Sequence, residues 1–314
     1  MRRVLALLTV AGVTAAGLAS VAGPAALATT PGRNGRIVFS ADLGLGGEIY
    51  TIRPNGTGLR QLTELDGNAF HPDWSPDGTR IVFWLEDQAI YIMSADGSDL
   101  HRVTEPGGQP SFTPDGRHIV YECASENCDG ESGIFLMRAD GSDAPGLRLS
   151  NNPFPDEGDS DPQVSPDGVT VTFVRHKVEG ELQALFAVDV DGEHLRKIAP
   201  YTLEVGIKHD WAPDGSRIAL TPYADFPDAR FPSVATIEPD GSGLHFLTSP
   251  VRGDVAFFAG SYSPNGEWIV YRAQDVDQER FRLMKMHPDG SDRTLIATLP
   301  FSPRFIDWGS RPSD

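Results

Sequence analysis

Asp73-Trp74-Ser75-Pro76-Asp77-Gly78 is followed by the apolar run Ile81-Val82-Phe83, then by Ile90-Tyr91-Ile92-Met93 and a second turn at Asp96-Gly97. The same order recurs six times along the chain. First turns fall at Asn34-Gly35, Asp77-Gly78, Asp115-Gly116, Asp167-Gly168, Asp214-Gly215 and Asn265-Gly266. The second-turn glycines are Gly56, Gly97, Gly141, Gly192, Gly241 and Gly290. A period of this size marks a repeat architecture. Asp-Gly and Asn-Gly between apolar runs signal hairpins, because glycine takes up positive φ at low cost. Each unit therefore reads as one four-stranded antiparallel sheet.

The strand runs are nearly continuous in apolar residues, as in Ile119-Val120-Tyr121, Ile134-Phe135-Leu136-Met137 and Trp268-Ile269-Val270-Tyr271. A sheet with one wet face alternates apolar and polar residues, so continuous runs mean that both faces are covered. No helical periodicity follows the N-terminal segment, which leaves other sheets as the cover. A ring of radially packed blades meets that demand. The first unit starts at Arg36-Ile37-Val38-Phe39 with no Asp-Trp strand before it, and the last is followed by a spare strand, Phe305-Ile306-Asp307-Trp308-Gly309. The expected fold is all-β, a six-bladed propeller closed by the C-terminal strand completing the first blade.

From Pro72-Asp73-Trp74-Ser75-Pro76-Asp77-Gly78-Thr79-Arg80-Ile81-Val82-Phe83 to Leu100-His101-Arg102-Val103-Thr104, the unit resembles the WD-like repeat of TolB-type six-bladed β-propellers. The resemblance covers residues 35–310 and implies the fold much more strongly than an activity. TolB carries an additional N-terminal α/β domain that is not expected here, so the Tol–Pal role in outer-membrane maintenance is not carried over. Similar propellers stand beside peptidase domains in prolyl oligopeptidase relatives, and no hydrolase domain is expected in this sequence.

Met1-Arg2-Arg3, an apolar stretch from Val4 to about Val21, and Ala26-Leu27-Ala28 have the order of a cleaved secretory signal peptide, with a retained membrane anchor as the rival reading. The expected organisation is a signal peptide at 1–28, a linker at 29–34, the propeller at 35–310 and a tail at 311–314. No Cys sits at the cleavage point for lipid attachment, and no later segment approaches the roughly 20 apolar residues of a transmembrane helix. A secreted or envelope-associated monomer, not inserted in the membrane after cleavage, is expected. Losing Arg2 and Arg3 moves the formal charge from −18 to −20. Such a chain repels nucleic acid and anionic lipid. Calcium, basic proteins and neutral glycans are more natural partners. Cys123 and Cys128, with Ala124-Ser125-Glu126-Asn127 between them, read in an exported chain as a local disulfide. Closing so short a loop contributes roughly 2 kcal/mol. Zinc would require about four ligands, and only His118 lies nearby in sequence.

The short turns of a blade share one face, while the longer connections emerge on the other. Those connections include Asp156–Asp161, Tyr223–Asp228 and Asp275–Glu279, so that rim is expected to be negative and to carry binding. Asp156, Asp159 and Asp161 have calcium-like spacing without the full order of an EF-hand loop; a solvated acidic loop is the other reading. In every inner strand one position is polar, namely Asp73, Ser111, Gln163, Asp210, Ser261 and Asp307, and the next is apolar. These polar residues either approach the channel to hold a cationic group or accept backbone hydrogen bonds that fix neighbouring blades. His71 and His209 start inner strands of blades two and five near the channel mouth, on opposite sides of the ring, and a shared metal is not expected. His176 and His194 read as surface residues. No Gly-x-Ser-x-Gly elbow occurs. The sequence thus points to a scaffold binding a protein, peptide or glycan, with His71, Asp73, His209, Asp210 and Asp307 as ligand-binding candidates. The alternative is a carbohydrate- or ester-active hydrolase or lyase at the channel mouth, possibly metal-dependent.

Overall fold

Local chemistry in the turns explains why each unit folds back on itself. In blade two the Ser75 hydroxyl donates to Asp77 Oδ1 at 2.6 Å, and the same oxygen accepts the Thr79 amide at 3.0 Å. Gly78 closes the turn at φ +68, and a Cβ there would lie 2.1 Å from the Ser310 carbonyl oxygen, so only glycine fits. The second turn repeats the device, with Ser98 N donating to Asp96 Oδ1 and Gly97 at φ +89. Between two such turns the β-branched and aromatic runs have no alternative to pairing as strands.

The computed structural model describes residues 32–42, 47–86, 89–123, 128, 133–151, 158–177, 182–206, 208–226, 229–249, 255–275 and 280–313. They form six four-stranded antiparallel sheets and one small two-stranded hairpin, Tyr223–Phe226 with Ala229–Pro232, inserted in blade five. Blade two has the plain order Ala69–Trp74, Arg80–Leu85, Ala89–Ser94 and His101–Thr104. Blade one is built from both ends of the chain: Pro303–Ser310 pairs antiparallel with Asn34–Asp42, which pairs with Gly47–Ile52. The expected closure is therefore present. Its register sets Ile37 opposite Trp308 and Val38 opposite Asp307. A single 3₁₀ turn, Tyr201–Leu203, is the one helical element among the described residues.

The core is divided among the blade interfaces. Val38 and Ile49 of blade one pack with Ile81, Phe83 and Met93 of blade two, and Val82 and Ile92 of blade two pack with Ile119 and Met137 of blade three. The last interface joins Val270 and Leu283 of blade six to Ile37 and Phe39 of blade one. Both faces of every sheet are thus covered, which is what the continuous apolar runs required. The Trp74 ring lies against Gly309, where a Cβ would meet it at 2.4 Å. Cys123 and Cys128 are disulfide-bonded, as the sequence suggested.

Removing residues 303–314 should strip blade one of its inner strand and expose the edge of Asn34–Asp42 and the apolar layer under Ile306 and Trp308. Thermal melting followed by circular dichroism should show loss of the cooperative transition. A truncated chain melting like the intact one would refute edge-to-edge closure as the clasp of the fold.

Candidate functional site

Inner strands of all blades surround a central channel. Its turn-side mouth is a cavity of about 420 Å³ lined by Asp73, Ser111, Gln163, Asp210 and Asp307 together with Pro76, Pro114 and Pro213 of the turns. The polar position of each strand does bind its neighbour. Asp307 Oδ2 accepts the Trp74 amide of blade two at 2.9 Å, and Asp73 Oδ2 accepts the Phe112 amide of blade three at 2.8 Å. Ser111 donates to Gln163 Oε1 at 3.3 Å, linking blades three and four. Asp210 Oδ2 accepts the Tyr262 amide at 2.7 Å, and Ser261 Oγ accepts the Trp308 amide at 2.7 Å, which returns the relay to blade one.

Two residues before this ring the inner strands bulge. His71, Gln109, Asp161, Lys208 and Phe305 all hold positive φ, between 47° and 80°. Ladder irregularities occur here, between Phe70 and Asp73, Gly108 and Ser111, and Ser160 and Gln163. In blades two, three and four the next residue is Pro72, Pro110 or Pro162, which has no amide hydrogen to lose from the ladder. These residues make a second layer in the channel. The residue types of Gln109, Lys208 and Phe305 carry no common sequence mark; their signal is the offset of two from the polar position.

His71 and His209, expected on opposite sides of the ring, meet on one carboxylate. His209 Nδ1 lies 3.1 Å from Asp161 Oδ2, and His71 Nδ1 lies 3.8 Å from Asp161 Oδ1. Side chains reach across so narrow a channel. Asp161 also accepts the Lys208 amide at 2.6 Å, while His209 Nε2 lies 2.8 Å from the Thr172 hydroxyl. With Nδ1–H donated to the carboxylate, Nε2 is the acceptor nitrogen beside the Thr172 hydroxyl, which also lies 3.2 Å from the Gln163 carbonyl oxygen. The Phe305 ring stacks on His71 at 3.5 Å.

Charge is arranged around Lys208, which is only 5% exposed. Burial opposes its positive form, but the carboxylates of Asp307, Asp73, Asp161 and Asp210 outweigh burial and raise its pKa. Burial would likewise raise Asp161; hydrogen bonds from His209 and His71 and the Lys208 charge hold it well below the usual carboxylate range. Asp73 moves the other way, raised by burial and by Asp307. Asp210 is pushed up to about 7 by burial, against the pull of Lys208. Burial lowers His71 despite its carboxylate neighbour.

Of the proposed calcium residues, Asp156 lies outside the described residues, as do 227–228 and 276–279 of the other acidic loops. Asp159 is buried and pairs with Arg175 through Oδ1–Nε and Oδ2–Nη2 contacts of 2.7 Å. Asp161 serves the histidine cluster instead, so those two carboxylates have separate partners. Among the described residues no group of three or more His, Cys, Asp or Glu is placed to hold a metal. His194 is a surface residue paired with Asp189, whereas His176 is half-buried, its Nε2 2.6 Å from the Ser160 hydroxyl.

The sequence pattern of the TolB beta propeller domain matches residues 25–199. An uncharacterized protein of Agrobacterium fabrum is 28% identical over 56% of this chain and 61% of its own length. The Tol-Pal system protein TolB of Nitratidesulfovibrio vulgaris is 32% identical over 29% of this chain and 21% of its own. The chain thus spans less than two thirds of either relative. The crystal structure of TolB from Acinetobacter baumannii superposes with a TM-score of 0.70 at 20% identity, covering 88% of this chain and 67% of that one, a likeness of fold.

Asp210→Asn supplies a pH test of the channel charges. A carboxyl raised from 3.8 to about 7 by folding favours its protonated form in the folded state. Its contribution to stability is greatest below the unfolded pKa and is lost as pH rises through about 7. Asn keeps an oxygen for the Tyr262 amide and cannot ionise. The variant should therefore gain in Tm relative to the parent at about pH 8 and gain little at about pH 4. A Tm difference constant across that range would remove Asp210 as a buried titrating group.

Proposed function

Because the chain belongs to the TolB β-propeller family, we propose that it is an exported, non-enzymatic scaffold that binds a protein, peptide or glycan at the cell envelope. The ligand meets the loop-side rim and the channel mouth beneath it. The observation that carries this reading is the commitment of the inner-strand carboxylates. Asp73, Asp210 and Asp307 accept backbone amides of the next blade, which makes them parts of a rigid ring. A rigid ring with longer connections on one rim is a binding platform. Asp161 and His209 are likewise held by fixed partners within the channel wall. Export is supported by the order of charged, apolar and small residues in 1–28.

Affinity capture from envelope extracts tests the reading. Replacing residues 152–157 with a Gly-Ser stretch of equal length should lower recovery of a bound partner at least about tenfold, with unchanged Tm. Undiminished capture would move the binding site off this rim. Turnover of a glycan or ester that is abolished both by a chelator and by His209→Gln would replace the scaffold reading with an enzyme.

A further inference from the structure

At the loop-side mouth a pocket of about 260 Å³ is lined by Lys208, Tyr223, Phe258, Arg272, Arg304 and Phe305. The rim was expected to be negative, yet this pocket is cationic. Arg272, on the strand Ile269–Asp275, is 8% exposed. Its guanidinium carbon sits 3.7 Å from the centre of the Phe258 ring, and Nη1 donates to the Ser302 hydroxyl at 2.7 Å. Nε is buried with no hydrogen-bond partner. No carboxylate among the described residues pairs with this side chain; the charged neighbours acting on it are Arg304 and Tyr223. Burial first, and Arg304 second, pull its pKa down to about 10.

We propose that this pocket binds the carboxylate of a small organic acid or of a peptide C-terminus. A buried, unpaired guanidinium is costly and is completed by an anion. With Nη1 committed to Ser302, Nε, on the guanidinium edge it shares with Nη2, has no hydrogen-bond partner among the described residues. That planar pair of donors matches a carboxylate in a two-point contact. Lys208 contributes less, since the channel carboxylates, Asp307 first among them, already act on its charge. Arg304 is exposed and adds attraction at the pocket edge, against Glu204, whose charge acts on Tyr223. Tyr223, Phe258 and Phe305 supply ring surface for the carbon skeleton beside the carboxylate. The site deepens the binding reading above, on which it rests, by naming the chemistry recognised at the same mouth.

Isothermal titration of the protein with sodium glucuronate, an N-acetylated tripeptide acid, the same peptide as its amide, and inorganic phosphate decides the matter. Saturable binding of glucuronate alone assigns a free acid; binding of the peptide acid alone assigns a C-terminus; binding of both supports the shared chemistry. The amide should bind at least about tenfold more weakly. Arg272→Met should abolish carboxylate binding while Tm stays equal or rises, because a buried unpaired cation has gone. Arg304→Ala should weaken binding about tenfold without moving Tm, and it decides the test if Arg272→Met does not fold. Phosphate binding without carboxylate binding, equal affinity for acid and amide, no saturable heat with any probe, or binding untouched in both variants would each overturn the proposal. Absent carboxylate binding with loop-dependent capture intact removes this site alone. Carboxylate binding without any captured macromolecule removes the scaffold reading alone.

Discussion

The pairing of Pro303–Ser310 with Asn34–Asp42 is the constraint on which the molecule depends. An open row of blades would present an unpaired strand edge and a bare apolar sheet face at each end. Here one strand from the far end of the sequence removes both liabilities together. It buries Ile306 and Trp308 against blades six and one, and it passes hydrogen bonds in both directions around the ring. Gly309 belongs to the same clasp, since the Trp74 ring occupies the space a side chain would need.

From closure follows the electrostatics of the channel. Inner strands brought into a ring force their polar positions toward one axis, and the bulges add a second layer including Asp161 and Lys208. Ionised carboxylates cannot all coexist there at low local dielectric. The structure divides them. Asp161 is held ionised by two histidines and Lys208, whereas Asp73 and Asp210 are pushed toward the neutral form. The result is a lysine balanced by carboxylates, each also hydrogen-bonded to backbone, which favours a stiff wall over a reactive centre.

Much of the fold was legible because the turn chemistry is local. Asp77 needs only Ser75 and Thr79 to form its turn, and Gly78 needs only its own φ, so six copies announce six sheets. The polar position is legible as a repeat, but a ring of polar residues fits a channel lining as well as a blade-to-blade acceptor. The bulge layer was hidden, since His71, Gln109, Asp161, Lys208 and Phe305 share no chemistry, only an offset and a backbone conformation. For the same reason the sequence sets Asp161 with Asp156 and Asp159 in an acidic loop, whereas it is a channel residue bonded to His209. Arg272 gives no sequence signal, because Arg on a strand is ordinary until its partners are known.

The contrast between Lys208 and Arg272 separates structural charge from functional charge in this molecule. Both cations are buried beside the same mouth. Lys208 is surrounded by carboxylates that hold it in its charged form, so its desolvation is offset within the fold. Arg272 has a ring face, one hydroxyl and a second arginine, and it titrates more easily than an arginine in water. A domain that places a carboxylate on four of its six inner strands had acids available to neutralise it. That this guanidinium has no such partner among the described residues is a local loss of stability of the kind found where the missing charge arrives with a ligand.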